Sequence, residues 1–499
     1  MADGPAGPGA GPSFGFDNSY ARDLPGFSVP WAAARVPAPR LFRLNRPLAK
    51  DLGLDADLLE GPLGAEIFSG NLAPADARPV AQAYAGHQFG GFSPQLGDGR
   101  ALLLGELIDR SGHRRDIALK GSGQTPFSRR GDGKATLGPV LREYLIGEAM
   151  HAMGIPTTRA LAAATTGEWV QRDTGLPGAV LTRVAASHIR VGTFQFFAAR
   201  GEVDRLRLLT NYTLARHYPH LLPEANPALA LLDAVIGAQA ALIAGWMSLG
   251  FIHGVMNTDN MTLSGETIDY GPCAFMDTYA PGTVFSSIDH TGRYAYGNQP
   301  AIGQWNLARL AETLVPLIDN DTDRAVAAAT EVLRSYVPRY EAQFQSLLRA
   351  KLGLVRDEPE EARLVQRLLD LMKAQGADWT LTFRRLSDAL RGAPEAARAQ
   401  FATPTAFDAW QTDWRARVET GPGTAEDTAL AMDRVNPLVI PRNHTVEAAL
   451  DAAVAGDAAP FEALLSAISA PYAETAGKEA FILPPPQGFT EEYRTFCGT

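Results

Sequence analysis

The sequence predicts an α+β protein whose two halves differ in pattern. Between roughly residues 80 and 185, short apolar runs are cut by glycine turns around one helix. Beyond about residue 200, long stretches of 3.6-residue periodicity take over, interrupted by a single loop region, GFIHGVMNTDNMTLSGETIDYG. Strands with one helix first, then helices with an embedded loop, is the order that two lobes with a ligand between them require.

The elements follow in chain order. The Gly-, Pro- and Ala-rich residues 1–14 read as a mobile tail. ALLLGELID and DIALKG read as strands joined by a turn at Ser111-Gly112, and Leu141 to Met153 as a helix with Leu141, Leu145, Met150 and Met153 near one face. A strand pair is expected around Gly178 to Val184, in PGAVLTRV. Ala228 to Ile252 is the most apolar stretch, but it carries Asp233 and Gln239 and reads as a buried helix rather than a membrane span. EARLVQRLLDLMK repeats Leu364, Val365, Leu368, Leu369, Leu371 and Met372 at helical offsets. The breakers in 420–440 lead into a helical appendage, and no internal repeat is found.

Composition narrows the function class. A chain of 499 residues exceeds what one core usually holds, and 46% hydrophobic with 20% charged residues is ordinary for a globular protein. A net charge of -10 argues against a nucleic-acid partner, which needs clustered Lys and Arg. Two cysteines, Cys273 and Cys497, make no disulfide framework and no zinc spacing. The N-terminal segment has no basic-then-apolar export pattern. A soluble cytoplasmic monomer with no membrane partner is the expectation.

The chemistry concentrates in HGVMNTDN, residues 253–260, followed by IDYG. Kinase-like enzymes place an Asp two residues after the His as base and an Asn five residues further on as metal ligand. Here His253 and Asn260 fit, and Val255 occupies the position of the Asp. Asp259 is the nearest carboxylate and takes the role of general base in this reading; metal ligation or helix capping is its alternative. Asn260 and Asp269 lie on either side of an expected hairpin turning at Ser264-Gly265, where they converge on one Mg²⁺ or Mn²⁺, or else cap turn amides. His253 reads as a packing residue.

Lys120, ending the strand DIALK, matches the lysine that grips nucleotide phosphates, with Glu143 or Glu148 as its partner on the following helix. LGDGR (Gly97, Gly99, Arg100) and RRGDGKA (Asp132, Gly133) offer glycine-exposed amides to a phosphate or ribose, or are hairpin turns. In TRVAASHIRVG, Arg183 and Arg190 share a face if the segment is helical and need not converge if it begins as a strand.

The long motifs YAGHQFGGFSPQLGDGRALLLGE, LKGSGQTPFSRRGDGKATLGPVLREYLIGEAM, GFIHGVMNTDN and IDYGPCAFMD together strongly resemble the selenoprotein O family of kinase-fold proteins, from about residue 14 onward. The resemblance implies a two-lobed protein kinase-like fold. It divides the chain into the tail at 1–14, a β-rich nucleotide-binding lobe at 15–195, a helical lobe with catalytic loop and metal site at 196–420, and a helical extension at 421–499. It implies transfer of AMP from ATP to Ser, Thr or Tyr hydroxyls of proteins, with the nucleotide reversed relative to kinases. Nucleotide contacts carry over to Gly97, Gly99, Arg100, Lys120, Asp132, Gly133, Arg183 and Arg190, with Glu143 as partner of Lys120. The base carries over to Asp259, and Mg²⁺ or Mn²⁺ to Asn260 and Asp269. Cys497 stands where the family often has selenocysteine. Some members close a disulfide from that position, and Cys273, whose context does not match the pairing site, is the available candidate here.

Overall fold

A computed structural model describes residues 11–496 of the chain. Twelve strands are defined among them: β1 Ser28–Pro30, β2 Arg40–Leu44, β3 Val80–Gln82, β4 Gly86–Gln88, β5 Gly91–Ser93, β6 Ala101–Ile108, β7 Arg114–Lys120, β8 Ala135–Thr136, β9 Arg159–Gln171, β10 Gly175–Ala185, β11 Phe251–Ile252 and β12 Ala274–Phe275. Eight form one antiparallel sheet in the order β1-β3-β6-β7-β10-β9-β2, with β8 added on β10. β6 and β7 are the expected pair, turned at Gly112 in the left-handed region (φ +82°). The strand pair expected near 178–184 is the longer hairpin of β9 and β10.

Both faces of this sheet are covered, which is why β6 reads as a nearly unbroken apolar run rather than an alternating one. On one face Leu104, Ile117, Leu119 and Val180 meet Leu48, Leu59, Ile67 and Phe68. Those four residues come from three short helices at Arg46–Asp51, Ala56–Leu59 and Pro62–Ser69, for which the sequence reading made no assignment. On the other face Leu103 and Leu181 join a core that includes the Leu137–Ala152 helix. That helix begins four residues earlier than expected, because Gly138 and Pro139 lie in its first turn, where proline forfeits no hydrogen bond. It is buried on nearly every side, since helices Asn443–Val454 and Ala459–Ile468 pack on its far face.

After the sheet, helices make up most of the regular structure, and the stretch 251–298 between two of them is largely irregular apart from β11 and β12. The Pro227–Leu249 helix is long and apolar enough to cross a membrane by length and composition, and its Leu231, Leu232, Val235, Ile236 and Ile243 side chains are buried in the core, as a core helix requires. The Pro359–Gln375 helix buries Leu364, Val365, Leu368, Leu369 and Met372 along one stripe. Residues 1–10 of the expected tail lie outside the described residues. At its end Ser13 and the backbone of Phe14 bond to Asp76, and the Phe14 ring is buried against Phe16.

One local expectation is corrected. The limbs on either side of the 264–265 turn do not pair with each other: Thr262 bridges to Arg190 and Thr267 to Thr157. Thr262 Oγ1 donates to the Glu266 carbonyl (2.7 Å) and accepts from its amide (3.0 Å), so the backbone groups of a regular hairpin are spent locally.

Candidate functional site

A cleft of about 430 Å³ opens beside the ends of β6 and β7, with the 253–260 loop opposite them. Every nucleotide, base and metal candidate carried over from the family resemblance borders it except Glu143, which lies directly behind Lys120. Lys120 ends β7, and Arg183 on β10 is the cross-strand partner of Ala118. Residues two apart on a strand share a face, so Lys120 and Arg183 point to the same side of the sheet.

Both cations meet Asp269. Lys120 Nζ lies 2.7 Å from Asp269 Oδ1 and 2.5 Å from Glu143 Oε2, while Arg183 Nη1 lies 2.7 Å from Asp269 Oδ1 and 3.2 Å from Glu143 Oε1. Glu143 is therefore the partner of Lys120; Glu148 faces away and holds Arg159 through two bonds of 2.6 Å. Burial alone would raise the Asp269 carboxyl, but Lys120, Arg183 and Arg190 together hold it well below the usual range. Asp269 also has φ +64°, a left-handed backbone that costs most residues energy and that Asp tolerates better than others.

Arg183 and Arg190 converge without sharing a helix. Arg183 is on a strand, and Arg190 is the N-cap of the Val191–Ala198 helix. The Arg190 guanidinium stacks 4.3 Å from the Tyr84 ring, donates to the Asp259 carbonyl (3.3 Å), and approaches Asp98 (3.9 Å) and Asp269 (4.0 Å). Behind Arg183 stands His188: its Nε2 accepts from Arg183 Nε (3.2 Å), and its Nδ1 meets Asp116 Oδ2 (2.9 Å).

Asp259 sits in a short 3₁₀ turn, Thr258–Asn260, and is 8% exposed. Its Oδ2 accepts from Gln88 Nε2 (3.3 Å), whereas Oδ1 is buried without a hydrogen-bond partner among the described residues. Burial raises its carboxyl to about 6, against the pull of Arg190. The hairpin of β4 and β5 is stapled to this turn residue by residue: His87 N donates to Thr258 Oγ1 (2.7 Å), Phe89 N to Asn257 Oδ1 (3.1 Å), and Gln88 to Asp259. Val255 borders the same cleft.

Asn260 Nδ2 donates to the Val255 carbonyl (3.0 Å), which leaves the amide oxygen as the atom available to a cation. Among the described residues no group of three or more His, Cys, Asp or Glu side chains is arranged to hold a metal ion. An amide and a carboxylate on the cleft wall nevertheless fit a nucleotide-bound Mg²⁺ or Mn²⁺, which takes only one or two protein oxygens and fills its shell with phosphates and water.

The glycine motifs lie on the rim. Gly97 (φ +74°) is pressed against Phe127, whose ring a Cβ would meet at 2.3 Å. Gly99 and Arg100 border the cleft just before β6. Gly133 (φ +69°) abuts Gly123, and Asp132 pairs with Arg172 at 2.8 and 3.1 Å. The sequence reading missed Asp98, Arg172, Gln88, Tyr84 and His188. Asp98, standing between Gly97 and Gly99, and His188, between Arg183 and Arg190, lay inside motifs already singled out, although the Asp116 partner of His188 is distant; Arg172, Gln88 and Tyr84 lie far in sequence from their partners.

His253 is buried, its Nε2 on the Ile268 carbonyl (2.9 Å), and burial lowers its basicity, in keeping with a packing role. Cys273 is buried, with its thiol pushed up to about 12 by burial. Cys497 lies outside the described residues.

Comparison with known proteins places the chain in a family. The family model described as Protein adenylyltransferase SelO matches residues 13–469. A curated relative from Cereibacter sphaeroides strain KD131, named protein nucleotidyltransferase YdiU, is 63% identical over 488 residues, covering 98% of this chain and all of the relative. A relative of the same name from Rhizobium johnstonii is 61% identical over 494 residues, covering 98% of both chains. With a match from the first packed residues to beyond the last long helices, the chain belongs to the SelO family of protein nucleotidyltransferases.

Proposed function

We propose that this nucleotidyltransferase moves AMP from ATP onto Ser, Thr or Tyr hydroxyls of proteins, with residues 15–195 and 196–420 acting as the two lobes of a kinase-like enzyme and 421–499 as a helical extension. The acceptor oxygen attacks the α-phosphorus, the bond to the β-phosphate oxygen breaks, pyrophosphate leaves, and the hydroxyl proton passes to Asp259. The observation that carries this reading is the pairing of Val255 with Asp259: an apolar side chain at the kinase base position, and a nearby carboxylate raised to about 6, poised to take a proton near neutral pH.

Lys120, Arg183 and Arg190 bind the phosphate chain in this reading, Glu143 fixes Lys120, and Gly97, Gly99, Arg100, Asp132 and Gly133 cradle the rest of the nucleotide. Asn260 and Asp269 would hold Mg²⁺ or Mn²⁺, which when bound neutralises charge on the phosphates. Asp269, held by Lys120 and Arg183, would supply the carboxylate oxygen and Asn260 the amide oxygen to such a cation, while Lys120 and Arg183 supply the positive charge that meets the nucleotide. The enzyme works in the cytoplasm as a monomer.

The test is incubation with ATP labelled at either the α- or the γ-phosphate. Protein that acquires α-label and no γ-label supports AMP transfer; γ-label without α-label establishes phosphoryl transfer in its place.

A further inference from the structure

We propose that the β4–β5 hairpin and the Ile288–Tyr294 segment form the acceptor ledge of the enzyme, and that it holds an extended stretch of the protein substrate in which a bulky apolar residue and a carboxylate flank the hydroxyl. The inference rests on Asp259 being the base, because it concerns what approaches that residue from outside the nucleotide cleft.

Three observations point to this surface. First, it is apolar and exposed where the cleft opens. Phe89 and Ile288 border the cleft, and with Phe92 they are exposed by 39%, 45% and 43%. At the hairpin tip Gly90 and Gly91 put no side chain between the two rings, so a backbone shelf lies open beside them.

Second, the surface is built rigidly onto the residue it would serve. Asn257 Oδ1 accepts from both Phe89 N (3.1 Å) and the Tyr294 hydroxyl (2.7 Å), two residues from Asp259. The Phe89 ring packs on Tyr294 at 5.1 Å, edge to face. Phe89 holds φ +51°, a strained backbone for an aromatic residue, maintained by these contacts. Phe89 and Gly90 (φ +87°) are the two central residues of the turn that joins β4 to β5, so the hairpin's own geometry presents the Phe89 ring at its tip.

Third, the ledge carries a cation, Arg293, with no salt bridge to a carboxylate among the described residues. Asp289 accepts from the backbone amides of Arg293 (2.9 Å) and Tyr294 (2.8 Å), which fixes the segment. The Arg293 guanidinium lies over Trp305 (4.9 Å) and near Tyr294 (5.7 Å), and its Nε is buried without a hydrogen bond among the described residues. A Cβ on Gly90 would lie 3.8 Å from its central carbon, so the charge sits at the hairpin tip. Neighbouring Arg309 is already neutralised by Glu312 (2.6 Å), which leaves Arg293 to meet a carboxylate brought by the substrate.

The test uses an array of Ser-, Thr- and Tyr-centred peptides with varied flanks, the full-length enzyme and α-labelled ATP. Labelled peptides should be enriched in an apolar residue and an acidic residue beside the hydroxyl, and Arg293→Glu should shift the charge preference from acidic to basic flanks. Phe92→Ala, at an exposed position, should raise KM for the favoured peptide roughly tenfold with kcat within about twofold and unchanged ATP affinity. Label on peptides with no flanking preference, or a Phe92→Ala enzyme indistinguishable from the parent, overturns the ledge and leaves AMP transfer standing. Absence of label from every peptide and every added protein removes the transfer reading, and the ledge with it.

Discussion

Gly86 and Asp259 touch so closely that a Cβ on the glycine would lie 2.4 Å from Asp259 Oδ1 and 2.9 Å from its carboxyl carbon. No side chain fits there without moving the carboxylate, although the two residues are far apart in sequence. Gly86→Ala should therefore turn Asp259 away from its place beside Gln88. Misplacing a proton acceptor by about 1 Å costs on the order of 100-fold in rate. The expected outcome is a large loss of AMP transfer with little change in the affinity of a fluorescent ATP analogue. Full activity in Gly86→Ala would remove Asp259 from the role of base.

The helix carrying Glu143 and Glu148 separates two kinds of effect. Glu143 is shared by Lys120 and Arg183, so Glu143→Gln leaves those cations with Asp269 as their remaining acid. ATP should bind roughly tenfold more weakly, a change of about 1.4 kcal/mol. Glu148 engages Arg159 and the Ala160 amide instead, and Glu148→Gln should lower Tm while ATP affinity by calorimetry stays at the parent value.

His188 links the cleft to a buried charge cluster. Arginine has no acceptor atom, so His188 Nε2 must be the acceptor from Arg183 Nε, and the ring proton must be on Nδ1, facing Asp116. Burial depresses its basicity to about 4, which keeps this neutral tautomer at physiological pH. His188→Phe leaves a buried guanidinium nitrogen and a buried carboxylate oxygen short of partners, at about 1–3 kcal/mol each. Both Tm and ATP affinity should fall, and His188→Gln, which can still accept and donate, should recover part of the affinity. Equal losses in the two variants would make His188 a packing residue only.

Glu266 predicts a pH dependence of stability. Burial raises its carboxyl from 4.5 to about 7, partly offset by the Ala186 amide and Arg115. The folded chain thus binds this proton more tightly than the unfolded chain. Its contribution is fully present below about pH 4.5 and is lost as pH rises toward 7. That loss is on the order of 3 kcal/mol. Glu266→Gln removes the titrating group, so the gap in urea midpoint between variant and parent should widen in favour of the variant between pH 5 and 8. A constant gap would show that Glu266 ionises normally.

Local pattern sufficed wherever neighbours in sequence are neighbours in space. The β6–β7 pair, Lys120 at a strand end and the buried Pro227–Leu249 helix follow from apolar spacing and turn residues within a dozen positions. The proximity of Asn260 and Asp269 to a common cleft was legible for the same reason, although the strand-paired hairpin expected between them does not form: Arg190 and Thr157 compete for its limbs. Spacing left Glu143 and Glu148 equal candidates, because it reports a face of the helix and not what that face meets.

What the sequence by itself determined was the succession of a strand-rich part and a helical part, together with the chemical kinds of residue available to the cleft, since both are written in short-range periodicity and motif. Tertiary structure alone decided which of those residues meet. Arg183 and Arg190 converge on Asp269 from a strand and a helix cap, Asp132 is held by Arg172, and the β4–β5 hairpin closes on Asp259 across 171 positions from Gln88. Contacts of that span depend on how the sheet is covered on both faces and how the loop is clamped. No window of local sequence encodes them, because the free energy that selects them comes from burial and charge pairing between distant segments.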